Sequence, residues 1–437
     1  MNISDFLNNQ YADSALYMNF RNTPSFIDGL KNSSRKVVHT IKKTNQKAQL
    51  KVSALASKII DLDAYLHADS SAQGAIVTMA QNYCGANELP ALEGVGAFGT
   101  RHTPYAAAPR YIYVKPAKYF DFLFKKEDDA NLIEQDFEGG KIEPMFYVPT
   151  LPLLLVNGSV GIGVGFASTV FSRSVDNIIK LIKDYLNGKE LDEKLLYPSW
   201  HGFKGIVKDL GNNKWEIKGI ANINGKKVRI EELPISWNLM SYLDFLKKLK
   251  EKGIIEKFID YSENDNFTFD IILTEDESKK DENKILIDLG LIETLTENLV
   301  TIDENNAIKE YNSTKEIFED YCKIKDIYFQ KRIISETKRL ENEERFLNEI
   351  YKFINAVIND EIKLKSLKKK ELEDLLKKQG YINIEKLIGI PIYSITEDKA
   401  LEIKERWENK IKELEAMKKE TSANLWLKDL EELEKCL

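Results

Sequence analysis

Residues 106–115 read AAAPRYIYVK, and the pairing of Arg110 with Tyr111 in that stretch admits two readings. Tyr111, Tyr113 and Tyr119 alternate with smaller or charged residues, as a half-buried strand would. A phenol beside a guanidinium is also a usable nucleophile toward phosphate, because the cation offsets the charge that develops on the attacked group. The chain has 19 tyrosines and most tyrosines serve packing, so the neighbours must decide. Arg101, His102, Arg110, Lys115 and Lys118 stand around Tyr111, and no Asp or Glu occurs between 101 and 120. That is an electropositive setting suited to a phosphodiester.

Working outward, three amphipathic patterns precede this stretch: FIDGLKNSSRKVVHTIKK after Pro24, KVSALASKIIDLDAYL, and SSAQGAIVTMAQNYC. Followed by the Gly-rich EGVGAFGT and the aromatic strand, they predict a helix-turn-helix variant with a β wing. The charge agrees. Residues 1–120 hold 13 Lys and Arg against 8 Asp and Glu, whereas the remainder holds 50 against 62, so the net charge of −7 conceals a basic N-terminal part. A polyanion partner would meet that part.

From 126 to 308 short β-branched strands dominate, with hairpin turns at LGNNKW and INGKKV, the second through Asn-Gly. Helices are interleaved at SVDNIIKLIKDYL and SYLDFLKKLKEKG, which predicts an α+β domain. Beyond 308, Ile317, Tyr321, Ile324, Tyr328, Leu340, Leu347, Ile350 and Ile354 recur at spacings of three, four and seven, as do Ile403, Trp407, Ile411, Leu414 and Met417. Two long helices with an apolar seam follow, an antiparallel coiled coil carrying a compact tip. Ser394, three residues before Glu397, offers a capping box for the second helix.

Other candidate sites have plainer alternatives. Lys31, Arg35 and Lys36 lie at a helix start, where backbone N–H groups also favour phosphate, though a solvated helix face would look the same. His67 in YLHADS is one of four histidines, and no second ligand at metal spacing accompanies it. LVNGSVGIGVGF lacks the GK[ST] ending of a phosphate loop and reads as a tight turn beside a buried strand. Leu151, between two prolines in VPTLP, is core in the ordinary case and a wedge between base steps in a DNA-binding protein. Cys84, Cys322 and Cys436 form no framework or zinc site, the start has no secretory pattern and no apolar run spans a membrane, so a reducing, cytoplasmic setting is expected.

Taken in order, these segments resemble the breakage-reunion subunit of type IIA DNA topoisomerases. TPSFIDGLKNSSRK resembles the family's Pro-x-x-x-Asp-Gly-Leu-Lys segment, LHADS its His-Gly-Asp/Glu, GVGAFGTRH its Gly-x-Phe-Gly, and APRYIY its Arg-Tyr dyad. VPTLPLLLVNGSVGIGVGF is similar to the stretch from the intercalating residue to the Gly-rich turn. IPIYSITEDKALEI and NLWLKDLEELE look like the eukaryotic enzymes at the C-gate and at the end of the second coiled-coil helix. Ala68 stands where the family usually has glycine, and Asn32 where proline commonly follows Gly-Leu-Lys.

The resemblance implies a multidomain α+β fold: a winged-helix domain over 1–125, an α/β tower over 126–308, and over 309–437 a long antiparallel coiled coil with a helical C-gate, its dimerisation tip about 355–396. It implies that Tyr111 forms a transient 5′-phosphotyrosyl link in each DNA strand, with Arg110, Arg21 and His67 in the catalytic site. Lys31, Arg35 and Lys36 would grip DNA phosphates, and Leu151 would intercalate. No metal ligands are expected on this chain. Mg²⁺ and ATP would be bound by Toprim and GHKL-type ATPase partner subunits, and the chain would act as a homodimer on double-stranded DNA, relaxing and decatenating it. A chain that ends at the coiled coil looks like the medium subunit of a phage-type enzyme, which would work in the host cytoplasm. Two competing expectations are an architectural DNA-bending protein, which needs no Tyr111, and a coiled-coil scaffold, which needs only the C-terminal third.

Overall fold

The computed structural model describes residues 3–62, 65, 67–364 and 368–437. Asp63, Ala64 and Leu66, which fall in the expected second helix and the LHADS stretch, and residues 365–367 of the expected tip lie outside them. Contacts divide the chain into two compact units, one of Met1–Lys126, Leu132–Lys325 and Leu427–Leu437, the other of Glu127–Asn131 and Asp326–Trp426.

In the first unit the three expected helices occur as Asn32–Lys43, Val52–Leu62 and Asp69–Ala80. Val37, Val38 and Ile41 recur on one face of the first and are buried, as are Leu55, Ile59 and Ile76 on the two helices that it contacts; each such residue, fully buried, contributes about 1.5–3 kcal/mol. A three-stranded antiparallel sheet closes the group, with Tyr113–Pro116 between Leu50–Lys51 and Leu92–Val95. Tyr111 is not part of the strand. It ends a turn whose N–H donates to Ala108 O at 2.9 Å, and pairing begins at Tyr113.

Downstream, a four-stranded antiparallel sheet runs in the order Ile220–Asn224, Lys227–Glu232, Phe269–Leu273, Ile255–Asp260. Helix Leu239–Glu251 covers one face through Tyr242, Leu246 and Leu249. That helix starts at Asn238, whose side chain accepts from Ser241 N while Ser241 closes a capping box, satisfying donors the helix cannot. The first expected hairpin turn is Asn212–Asn213, with φ of 53° and 56°, the left-handed pair that a two-residue turn matched to strand twist requires. In the second, Asn224 pairs with Lys227, so Gly225 and Lys226 make the turn.

In the second unit the apolar seam appears as helix Thr314–Ile358, 45 residues that begin in the first unit, and Glu397–Lys418. Lys418 meets Glu341 at 2.7 Å, Lys410 meets Glu343 at 3.1 Å, and Ala400 and Ile403 cluster with Leu347 and Ile354. Partner numbers fall on one helix as they rise on the other, so the pair is antiparallel. Two boundaries differ from expectation. The cap of the second helix is Thr396, whose side chain accepts from Lys399 N, and Ser394 belongs to a short 3-10 turn. NLWLKDLEELE does not continue that helix but lies in a separate one, Ser422–Glu434, restarted where Thr421 Oγ1 accepts from Asn424 N at 3.2 Å. No described helix is long and apolar enough to cross a membrane.

Candidate functional site

Tyr111 is 67% exposed because its successor anchors the backbone: Ile112 is buried, and its carbonyl accepts from Val52 N at 3.1 Å. A phenol immediately before a held strand is presented to solvent on a stiff mount. The Arg110 guanidinium lies over its ring, 4.8 Å from the centroid, a cation–π contact. Of the other expected cations, Arg101 is buried against Glu232 at 2.7 Å and Leu233 O at 2.9 Å, and Lys115 pairs with Glu93 at 3.0 Å. The charge facing Tyr111 is therefore narrower than the run of basic letters suggested.

A second group forms around a cavity of about 280 Å³ lined by Tyr17, Arg21, Asn32, Arg35 and His67 among others. Arg21 lies in the last turn of helix Ala12–Asn22 and donates to Ser71 Oγ at 3.3 Å. His67 Nε2 lies 2.7 Å from the Tyr17 hydroxyl. Burial first, then the positive charges of Arg21 and Lys36, holds the imidazole below its ordinary 6.5, so it is neutral at pH 7. Ala68 has φ −59°, a conformation any residue adopts, and this backbone has no need of the family's glycine there. Tyr111 and Arg110 do not line this cavity; the structure gathers the expected residues into two groups.

The Gly-rich run mounts Arg21. It forms a hairpin of Ser159–Ile162 and Ala167–Val170, and a Cβ on Gly161 would overlap Asn22 O, as one on Gly163 would overlap the Asn19 amide oxygen. Buried Asn19 exchanges two hydrogen bonds with Val164, at 3.1 and 2.7 Å. Glycine is needed so that the hairpin can lie against the helix that carries Arg21.

The expected DNA contacts are placed differently. Arg35 donates to both Asp28 oxygens, at 2.7 and 3.2 Å, and to Leu30 O; Lys36 meets Glu143 at 2.6 Å. All four residues are buried, so in this conformation Arg35 and Lys36 hold the fold rather than face a phosphate. Half-buried Lys31 donates to Val160 O at 2.6 Å, and burial lowers its pKa. Leu151 has no exposed surface and is core as the chain stands. Tyr17, Asn19 and Glu143 carried no motif in the sequence; Asp28 is the Asp of the Asp-Gly-Leu-Lys segment and lies seven residues before Arg35, but nothing in the motif announced their pairing.

No group of three or more His, Cys, Asp or Glu among the described residues is arranged to hold a metal ion, and Asp28 and Glu143 are engaged by Arg35 and Lys36. These residues do not fit a Mg²⁺ site, and no chemical step on this chain is routed through one.

A three-helix group with a small sheet, an exposed Arg-Tyr pair and a long antiparallel helix pair together define a class. The family described as the A-type subunit of DNA gyrase/topoisomerase IV matches residues 21–431, and the chain belongs to it. The chain is 30% identical to DNA topoisomerase 2 of Plasmodium falciparum, covering 99% of this chain and 34% of that protein. It is 29% identical to the mitochondrial DNA topoisomerase 2 of Dictyostelium discoideum, covering 99% and 35%. The crystal structure of the Plasmodium falciparum topoisomerase II DNA-binding, cleavage and re-ligation domain superposes with a TM-score of 0.91 at 31% identity, over 99% of this chain and 64% of that one. The chain thus spans about a third of the length of these curated relatives. They are eukaryotic, and the expectation of a phage-type medium subunit draws no support from them.

Proposed function

We propose that this chain is the DNA cleavage-and-religation part of an ATP-dependent type IIA topoisomerase, with Tyr111 as nucleophile. The observation that carries this is the exposed Tyr111, capped by Arg110, in a chain of this family. The deprotonated Tyr111 oxygen attacks a backbone phosphorus, the bond to the 3′ oxygen breaks and that oxygen takes a proton, leaving a 5′-phosphotyrosyl ester. Attack by the 3′ hydroxyl reverses the step, so resealing needs no hydrolysis. Arg110 and Arg21 offset charge on the pentavalent transition state, and neutral His67 hydrogen-bonds to it. Arg21 and His67 line a cavity that Tyr111 does not, which favours completion of the site by movement or by a second copy of the chain.

The domain reading goes with this proposal: winged helix over 1–125, tower over 126–308, coiled coil with a C-gate tip from 309. Mg²⁺ and ATP would act through Toprim and ATPase modules, as partner subunits in a phage-type organisation or as parts of one longer polypeptide. Relaxation and decatenation of double-stranded DNA by a homodimer are the expected outputs. The architectural alternative is weaker because it gives no role to the exposed Tyr111 beside Arg110. The test is plasmid cleavage with Toprim and ATPase modules, Mg²⁺ and detergent. Double-strand breaks that need both this chain and Arg110 are expected, and breaks unaffected by Arg110→Ala would remove the assigned role.

A further inference from the structure

We infer that Tyr17 is a positioning residue that holds His67 in its Nδ1–H tautomer, leaving that N–H to donate to a phosphate oxygen; this rests on the cleavage reading of the same site. The 2.7 Å contact between the Tyr17 hydroxyl and His67 Nε2 has two polarities, and the surroundings select one. A phenol is a better donor than acceptor, and a neutral imidazole has one acceptor nitrogen. Among the described residues, the groups facing His67 are Tyr17, Tyr65, Arg21 and Lys36, and the two cations disfavour a second proton on the ring. With Nε2 accepting from Tyr17, the ring proton must sit on Nδ1.

Packing makes the arrangement a seat rather than a chance contact. The Tyr65 ring meets His67 edge-on, centroids 5.4 Å apart at 85°, and the Tyr17 ring lies 6.0 Å away at 46°. The buried Tyr65 hydroxyl finds no hydrogen-bond partner among the described residues, so it does not compete for Nε2. Tyr17 and Arg21 are one helical turn apart on helix Ala12–Asn22, and the Gly161 and Gly163 packing that places Arg21 therefore also places Tyr17.

The test has two arms on the intact chain. Histidine-selective ¹⁵N labelling, with His67→Gln assigning the signal among the four histidines, reads the tautomer without DNA. Wild type should show unprotonated Nε2 at pH 7.5. Tyr17→Phe should move His67 toward the Nε2–H form and raise its pKa, because a donor to the neutral ring is lost, while His39, His102 and His201 stay unchanged. In trapped cleavage with Toprim and ATPase modules, Tyr17→Phe should lower covalent yield about tenfold at unchanged DNA affinity, short of the ~100-fold or more of losing an acid–base group. A protonated Nε2 in wild type, a tautomer indifferent to the substitution, or full cleavage by Tyr17→Phe overturns the inference. Cleavage that survives Tyr111→Phe would instead fail the functional reading, with the tautomer still decided by the first arm.

Discussion

The Asp28 carboxylate gathers several hydrogen bonds beside the site. It accepts from Arg35, from Leu30 N at 2.9 Å and from Tyr147 N at 3.0 Å, and it is fully buried. Removing one partner of a buried pair strands the other charge. Asp28→Asn should therefore cost about 3–5 kcal/mol of stability, by analogy with other broken buried pairs, measured from urea midpoints; a loss below about 1 kcal/mol would show that water reaches Arg35. His67 gives a pH dependence. Its folded pKa lies below 6.5, so as pH falls the unfolded chain binds the proton first and stability drops from about pH 6.5 down to the folded pKa. His67→Gln should flatten that slope between pH 7 and 5, and an unchanged slope would mean the ring charges freely in the fold.

At the scale of elements, what the sequence made legible was local. The three N-terminal helices, both Asn- or Gly-bearing hairpins and the long seam from Thr314 onward announce themselves through periodicity and turn chemistry. What stayed hidden depends on partners far along the chain. Lys36 and its Glu143 are 107 residues apart, and Tyr17 and His67 are 50 apart. A basic helix start reads the same whether its cations face solvent or a buried carboxylate, which is why Arg35 and Lys36 looked like phosphate contacts. Leu151 was ambiguous for a similar reason, since flanking prolines stiffen a segment without saying which side is covered. The Gly-rich hairpin is an element whose role emerges only in three dimensions. Gly161→Ala should push helix Ala12–Asn22 away from the hairpin, lowering the melting temperature and the cleavage yield together. A variant with wild-type melting and cleavage would mean that the helix yields without displacing Arg21.

For the whole molecule, the features that matter are what the chain leaves open. In the second unit Ile382, Ile392 and Tyr393 are 65%, 75% and 84% exposed, in the region expected to dimerise. Large apolar groups left in water favour association, and twofold pairing would use the same patch on both copies. Ile392→Asp with Tyr393→Asp should convert a dimer to a monomer in sedimentation equilibrium at micromolar concentration, without loss of helix content. A wild-type monomer, or a variant that still dimerises, would place the dimer contact elsewhere. If Toprim and ATPase modules supply the metal chemistry, as proposed, cleavage by this chain should rise from background only when those modules are added.

The proposed attack of Tyr111 on DNA is tested most directly by trapping cleavage with detergent, digesting the DNA and mapping the peptide that retains nucleotide. A 5′-linked phosphotyrosyl adduct on Tyr111, absent from Tyr111→Phe, is expected; an adduct on any other residue, or breaks made without a protein link, would contradict that role for Tyr111.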